Sequence, residues 1–166
     1  MKTTTVQPHK SSLGMDANLT VIIVYIAMAV VSWIHYLGWI AWAVPLVFYF
    51  MEKNSEFVKF HAVQATIIGI LRAAISIVLQ IFIWILTPKD LYSALNYLAG
   101  NGWGLWTLLG VISTIVGIAI SLLILYVVIT AWNWKQVELP IIGPISVKAR
   151  MKLDDFAKKQ GSGSNK

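Results

Sequence analysis

The 166-residue chain is strongly apolar and carries a net positive charge. Hydrophobic residues make up 58% of it and charged residues 12%, the mean hydropathy is +0.73, and the formal net charge is +6. A soluble domain of this length could not bury so much apolar surface, so the composition predicts an integral membrane protein. Because the chain has no cysteine, disulfides, thiolate zinc sites, iron–sulfur clusters and a cysteine nucleophile are excluded.

Residues 1–17 are predicted to form a polar N-terminal tail, and the first apolar run follows at residues 19–36. At about 1.5 Å per residue this run gives a helix of about 27 Å, which can cross a bilayer of about 30 Å with slight thinning. The triplet Ala27-Met28-Ala29 resembles a signal-peptide cleavage site. The apolar run continues past it, which favours a retained first span over a cleaved signal.

The second predicted span, residues 39–52, is short. Its apolar part would form a helix of about 20 Å, and it contains Pro45. We expect a kinked helix, a tilted helix that extends beyond the membrane, or one arm of a re-entrant hairpin. Each of these forms returns the chain to the side on which it began.

The third and fourth spans are predicted at residues 61–86 and 103–132. The third ends at Thr87-Pro88-Lys89-Asp90, where proline follows the last apolar residue and stops the helix. Leucines at helical spacing then predict an amphipathic connector over residues 91–98. Tryptophans, which prefer the headgroup level, support the span ends at Trp39, Trp84, Trp103, Trp106, Trp132 and Trp134.

These elements predict an all-α fold, in which residues 18–135 form a polytopic bundle of four transmembrane helices accompanied by interfacial helices. If the chain crosses the membrane four times, Lys89 is the one basic residue on one side of the membrane. All other Lys and Arg residues outside the spans then lie on the opposite side, together with both termini. The positive-inside rule therefore predicts a multi-pass protein of the cell membrane with both termini in the cytoplasm.

The C-terminal region, residues 136–160, is predicted to be a cytoplasmic turn followed by a basic tail. Pro140, Gly143 and Pro144 exclude a continuous helix over residues 137–144 and predict a short extended turn. The Gly-Ser stretch at residues 161–166 is typical of a flexible linker or a remnant of cloning.

Residues 147–159 form either an amphipathic helix on the membrane surface or a solvated charged tail. In the helix, Leu153, Phe156 and Ala157 would make up the apolar side. The basic residues of the chain lie outside its apolar runs and not in aromatic-interleaved patches, so we expect anionic lipid headgroups as their partner and no nucleic acid. In the tail, the residues expected to contact headgroups are Lys148, Arg150, Lys152, Lys158 and Lys159.

Two segments resemble a family of small four-helix membrane proteins. The first segment, Glu52 to Ala65, contains an acidic-basic turn followed by the pattern phenylalanine-basic-phenylalanine-histidine-alanine-x-glutamine. The second segment, Leu139-Pro140-Ile141-Ile142-Gly143, follows the last predicted span. The matching positions are Glu52, Phe57, Lys59, Phe60, His61, Gln64, Leu139, Pro140 and Gly143. Relatives in this family include the Tic-twenty-type subunit of the chloroplast inner-envelope import machinery, and this short basic chain resembles the prokaryotic branch. The resemblance implies the four-span layout and no catalytic residue.

Polar side chains enter the apolar region mainly in the third span. At about 100° per residue, one broad helix face carries His61, Gln64, Arg72, Ser76 and Gln80. This face either lines a polar cavity or anion-attracting path between helices, or its arginine snorkels to phosphates at the cytoplasmic surface. His61 is either a proton-responsive switch or a residue that caps or hydrogen-bonds backbone at the interface.

No enzyme chemistry is expected. His9, His35 and His61 lie in separate segments without clustered carboxylates, and the sequence contains no phosphate-binding loop or nucleophile elbow, so no catalytic residue, metal or cofactor is predicted. We expect a pore-like or accessory component of a membrane transport or protein translocation system. The alternative is a non-transporting adaptor that stabilises a partner membrane protein. Either function involves membrane lipids and a membrane protein partner or a homo-oligomer.

Overall fold

The structure, a computed structural model, describes residues 2–34, 37–86, 94–95, 103–140 and 142–163. The chain divides into two compact units. The first unit comprises Met1–Ile70 and Ile124–Lys166, and the second unit comprises Leu71–Leu123. The predicted helix terminator Thr87-Pro88-Lys89-Asp90 lies outside the described residues, as does the predicted connector apart from residues 94–95.

Two helices of the first unit pack against each other. Helix α1, Ala17–Trp33, is followed by a 3₁₀ helix, Gly38–Ile40, and by helix α2, Ala43–Met51. Nine residues give α2 a length of about 14 Å, which is too short to cross a bilayer of about 30 Å. Pro45 lies in the first turn of α2, where its missing N–H would have no helical partner, so it is tolerated without a kink.

The two long helices are α3, Glu56–Leu86, and α4, Trp103–Trp132. Helix α3 begins five residues before the predicted third span, because Ser55 Oγ accepts the backbone N–H of Val58 at 3.2 Å and caps the helix earlier. Among the described residues, two stretches are long and apolar enough to cross a membrane: Glu56–Ile85 and Thr107–Trp132. The four-span bundle therefore stays a prediction.

A two-stranded sheet corrects the all-α expectation. Strand β1, Lys2–Thr5, pairs antiparallel with strand β2, Lys135–Glu138, so the N-terminal tail is not a free polar segment. Trp134 adopts a left-handed backbone conformation, φ 56°, which ends the helical path after α4. The strands were missed because four-residue pairing across 130 residues leaves almost no local pattern.

Helix α5, Ile142–Gly163, begins inside the segment predicted as an extended turn and continues into the predicted linker. Pro144 lies in its first turn and therefore does not interrupt it. At Gly143, an added Cβ would lie 2.9 Å from the Glu138 Cβ and 3.0 Å from its Cα. Glycine thus permits the close approach with which the chain turns from β2 into α5.

Candidate functional site

Glu52 is the buried centre of a polar cluster between the N-terminal tail and the start of α3. Its carboxylate accepts backbone N–H groups of Ser12 at 3.0 Å, Asn54 at 3.0 Å and Ser55 at 2.9 Å. It also accepts the hydroxyl groups of Ser12, at 2.8 Å, and of Ser11. We call Ser11, Ser12, Glu52 and Ser55 the Glu52 cluster. Glu52 is 2% exposed.

The environment of Glu52 favours its charged form. Burial by itself raises the pKa of this carboxyl group, but the hydrogen bonds from Ser11, Ser12 and Ser55 oppose burial and outweigh it. The resulting pKa is lowered from 4.5 to about 2. Glu52 is therefore an ionised structural anchor at neutral pH and not a proton donor.

His9 and Ser55 form a pair whose geometry resembles a nucleophile and its base. His9 Nε2 lies 2.7 Å from Ser55 Oγ, and His9 Nδ1 lies 2.8 Å from the carbonyl oxygen of Gln7. Ser55 is fully buried, however, and its Oγ also caps α3 at Val58. The pair therefore attaches the N-terminal tail to the helix start. Sequence reasoning missed it because its members are 46 residues apart.

His61 is fully buried among aromatic rings. The centroid of its ring lies 4.7 Å from that of Phe57, 5.5 Å from that of Phe60 and 6.4 Å from that of Tyr25, all in edge-on arrangements. Within the described residues, neither ring nitrogen has a hydrogen-bond partner. The expected backbone or capping contact is thus absent from that part of the chain, and Ser55 caps the helix. His61 packs as a core residue.

Gln64 connects the first segment of the family resemblance to β2, at a point two residues before the second segment. It is fully buried, and its Nε2 donates to the carbonyl oxygen of Val137 in β2 at 3.3 Å. Leu139 is also buried, and Gly143 N–H donates to the Leu139 carbonyl at 2.7 Å. The first segment, around α3, and the second, after α4, therefore meet in the first unit.

The remaining positions of the resemblance behave differently. Phe57 and Phe60 are buried, whereas Pro140 is exposed. The Lys59 side chain is mostly covered, and its Nζ lies 3.8 Å from Glu56 Oε1. Most of these side chains are thus engaged within the protein and leave little of the motif at the surface.

The predicted polar face of the third span divides into two parts. His61 and Gln64 are buried in the first unit, whereas Arg72, Ser76 and Gln80 are exposed in the second unit. Among the described residues, the guanidinium of Arg72 has no hydrogen-bond or ion-pair partner. The five residues do not form one accessible face, and the accessible part begins at Arg72.

Helix α5 belongs to the first unit and contacts the rest of that unit through one side of the helix. Arg150 Nη1 lies 3.1 Å from Glu56 Oε2, and the Tyr49 hydroxyl donates to Asp154 Oδ1 at 2.6 Å. Ala149 and Leu153 pack against a cluster formed by Tyr49, Ala62 and Val63. Arg150 and Leu153 therefore contact protein, whereas the sequence had assigned them to headgroups and to a membrane-facing side.

The other residues expected at headgroups are only partly described. Lys148 and Lys152 are exposed, and the side chains of Lys158 and Lys159 lie outside the described part of the structure. In the described part, no group of three His, Asp or Glu side chains is placed to hold a metal ion.

The fold and this site define a helical membrane protein with two candidate membrane-spanning helices and a hydrogen-bonded polar cluster around Glu52. The chain is 28% identical over 137 residues to a protein of Methanocaldococcus jannaschii named "UPF0132 membrane protein". The match covers 82% of this chain and 91% of the relative. No family model and no solved structure matches the chain. The similarity to the chloroplast import subunit stays a prediction.

Proposed function

We propose that this protein is a non-enzymatic, membrane-embedded subunit of a transport or protein translocation system. Its functional surface is the polar side of α3, defined by Arg72, Ser76 and Gln80. The observation that carries the proposal is an exposed arginine without a described partner in a helix long enough to cross a membrane. The surface meets either a partner membrane protein or a second copy of this chain.

The position of Arg72 makes contact with lipid tails costly. It lies 16 residues after Glu56 and 13 before Ile85, which corresponds to about 24 Å and about 20 Å along the helix. A charged residue at the centre of a span costs about 2.5–3.5 kcal/mol on insertion scales. Such a residue is therefore covered by protein, by water or by a headgroup.

The composition of the spans indicates that the counter-charge comes from outside them. No Asp or Glu occurs at residues 57–85 or 107–132. Ser76 and Gln80 follow Arg72 at about 40° and 80° around the helix, so neutral hydrogen-bonding groups accompany the cation on one side. This arrangement suits an acidic or polar partner helix, or an anionic substrate.

Contacts inside the first unit support a shared side for both termini. The N-terminal tail bonds to Glu52 and pairs with β2, and α5 bonds to Glu56. If α1 and α2 form a re-entrant hairpin, α3 begins on the same side as the N-terminus. We propose that this side is the cytoplasm, in agreement with the positive-inside rule, and that the membrane is the cell membrane.

A specific observation favours the alternative of a non-transporting adaptor. His61 and Gln64 are fully buried, so they do not line an open path for a substrate. The first unit would then have a structural role, and the exposed part of α3 would contact the partner. A kinship with the Tic-twenty-type import subunit is compatible with both functions.

Gentle purification from the native membrane tests the proposal. Wild-type protein is compared with Arg72→Leu, with the charge-conserving Arg72→Lys, and with Val78→Leu as a control on the opposite side of α3. We expect a stoichiometric membrane partner or a homo-oligomer that is lost only in Arg72→Leu. A transport or translocation component as partner supports the proposal, and a partner without such a function supports the adaptor. Unchanged assembly of Arg72→Leu contradicts both.

A further inference from the structure

Helix α5 has a second side that its contacts with the first unit leave uncovered. Exposed side chains on that side are Ile145, Lys148, Met151, Lys152 and Phe156, of which the three apolar ones are each at least 50% exposed. At about 100° per residue, Ile145, Lys148, Lys152 and Phe156 fall within about 80° of the helix circumference. Met151 lies about 60° beyond Lys148, so the five side chains form a strip of about 140° that carries both apolar and basic groups, which are the two kinds of side chain that a helix in a membrane surface uses.

The contacts of α5 place this strip at the level of the membrane boundary. Arg150 bonds to Glu56, which is the first residue of one candidate span, and α5 begins ten residues after Trp132, the last residue of the other. A helix attached at the ends of two spans lies close to the headgroups. A lipid surface is therefore the nearest occupant for its uncovered side.

The charge of this end of the first unit is complementary to an anionic surface. The carboxylates of Glu52, Glu56 and Asp154 are engaged by serines, Arg150 and Tyr49. In this unit the exposed basic side chains outside α5 are Lys2, Lys10, Lys53 and Lys135, and the exposed acids include Asp16 and Asp155, the second of which lies within the arc of the strip. Positive charge therefore predominates, which attracts anionic headgroups.

We propose that the outer strip of α5, formed by Ile145, Lys148, Met151, Lys152 and Phe156, is a docking surface for anionic lipid headgroups. The lysines contact the phosphates, and the apolar side chains enter the boundary between headgroups and acyl chains. The proposal does not depend on the transport function. It also reassigns the lipid contact, since Arg150 and Leu153 face the protein.

The lack of cysteine allows a direct test. The full chain with Met151→Cys carries an environment-sensitive fluorophore and is placed in bilayer discs of phosphatidylcholine, alone or mixed with phosphatidylglycerol. A label at Asn54→Cys, exposed but outside α5, is the matched control. We expect emission at shorter wavelength and weaker iodide quenching for position 151 in the anionic discs, and loss of both at high salt.

Lysine variants assign the effect to the strip. Lys148→Gln with Lys152→Gln should lower the ratio of docked to undocked helix about thirty-fold, whereas Lys10→Gln with Lys53→Gln removes the same charge elsewhere and should change it far less. Equal effects of the two pairs overturn the proposal, as does equal protection in both lipid mixtures. Protection that persists in neutral detergent also overturns it and indicates a protein occupant.

Discussion

The two units use their polar residues in opposite ways. In the first unit, Glu52, His61 and Gln64 are buried, and the carboxylate of Glu52 is fully engaged by neighbouring donors. In the second unit, Arg72 and Gln80 are exposed, on a helix apolar enough to cross a membrane. The residues of the motif therefore have a structural role, whereas the exposed polar surface of α3 lies outside the motif.

Replacing the anchor of the first unit should have the largest effect on stability. Glu52→Leu leaves several buried donors unpaired, so we expect a loss of about 3–5 kcal/mol in the free energy of unfolding. Asp155→Leu, which changes an exposed carboxylate, is the control and should have little effect. Thermal unfolding in detergent measures both. Equal stability of the two variants would show that the Glu52 cluster does not hold this end together.

The same carboxylate predicts a pH dependence. Its pKa is 4.5 when unfolded and about 2 when folded, so the folded state binds fewer protons between these values. The stabilisation is complete above about pH 4.5 and is lost as the pH falls through about 2. Stability measured over this range should fall in the wild type and less steeply in Glu52→Gln. Parallel curves would contradict the assignment.

His61 should tolerate an apolar ring better than a deletion. His61→Ala leaves a cavity among three aromatic rings and should cost about 2–4 kcal/mol. His61→Phe keeps a planar ring of somewhat larger volume and removes nitrogens that have no described partner, so we expect a smaller loss than in His61→Ala. Chemical unfolding of both variants measures the two changes in the free energy of unfolding. A large loss in His61→Phe would mean that the imidazole has a polar role.

Two glycines sharpen the contrast between the units. An added Cβ at Gly69 would lie 2.8 Å from the Trp42 Cβ and 2.9 Å from its Cα, so Gly69→Ala should destabilise by about 1–3 kcal/mol. At Gly117, no described atom lies within 4 Å of the added Cβ. Gly117→Ala should therefore stabilise α4 by about 0.5–1 kcal/mol. Thermal unfolding measures whether the two changes in stability have opposite signs. Changes of the same sign at both sites would contradict the difference in packing around the two glycines.

The smallest effect is expected at the ion pair that attaches α5. The Glu56 side chain is 64% exposed, so its attraction to Arg150 is screened by water. Glu56→Gln should lower stability by no more than about 1 kcal/mol, whereas Leu153→Ala, which removes packing, should cost more. Proteolysis of α5 in each variant provides the comparison. A larger loss in Glu56→Gln would show that charge, and not packing, holds the helix.

The bounds of the long helices could be predicted closely from the sequence, but the polar contacts of the first unit could not. Span four was expected at residues 103–132, which are the bounds of α4, because a long apolar run has one stable form in a membrane. The pairing of β1 with β2, the bond from Gln64 to Val137 and the clustering around Glu52 join residues that are 40 to 136 positions apart. Such contacts depend on the tertiary fold and leave no periodic signal.

Pro144 and His61 show how local rules fail. Proline was expected to break a helix near residue 144, but it lies in a first turn, where its missing N–H has no consequence. His61 was expected to be either a proton-responsive switch or a residue that caps or hydrogen-bonds backbone at the interface, but it is buried among edge-on aromatic rings. Pro144 is tolerated because α5 starts just before it, and His61 is buried because neighbouring side chains cover this turn of α3.

Cross-linking in the native membrane tests the central claim most directly. A photoreactive residue is introduced at Ser76, on the polar side of α3, and separately at Val78, on the opposite side of the same helix. Position 76 should cross-link to one defined membrane protein or to a second copy of the chain, and position 78 should cross-link to lipid. Cross-links to lipid alone at both positions would contradict it.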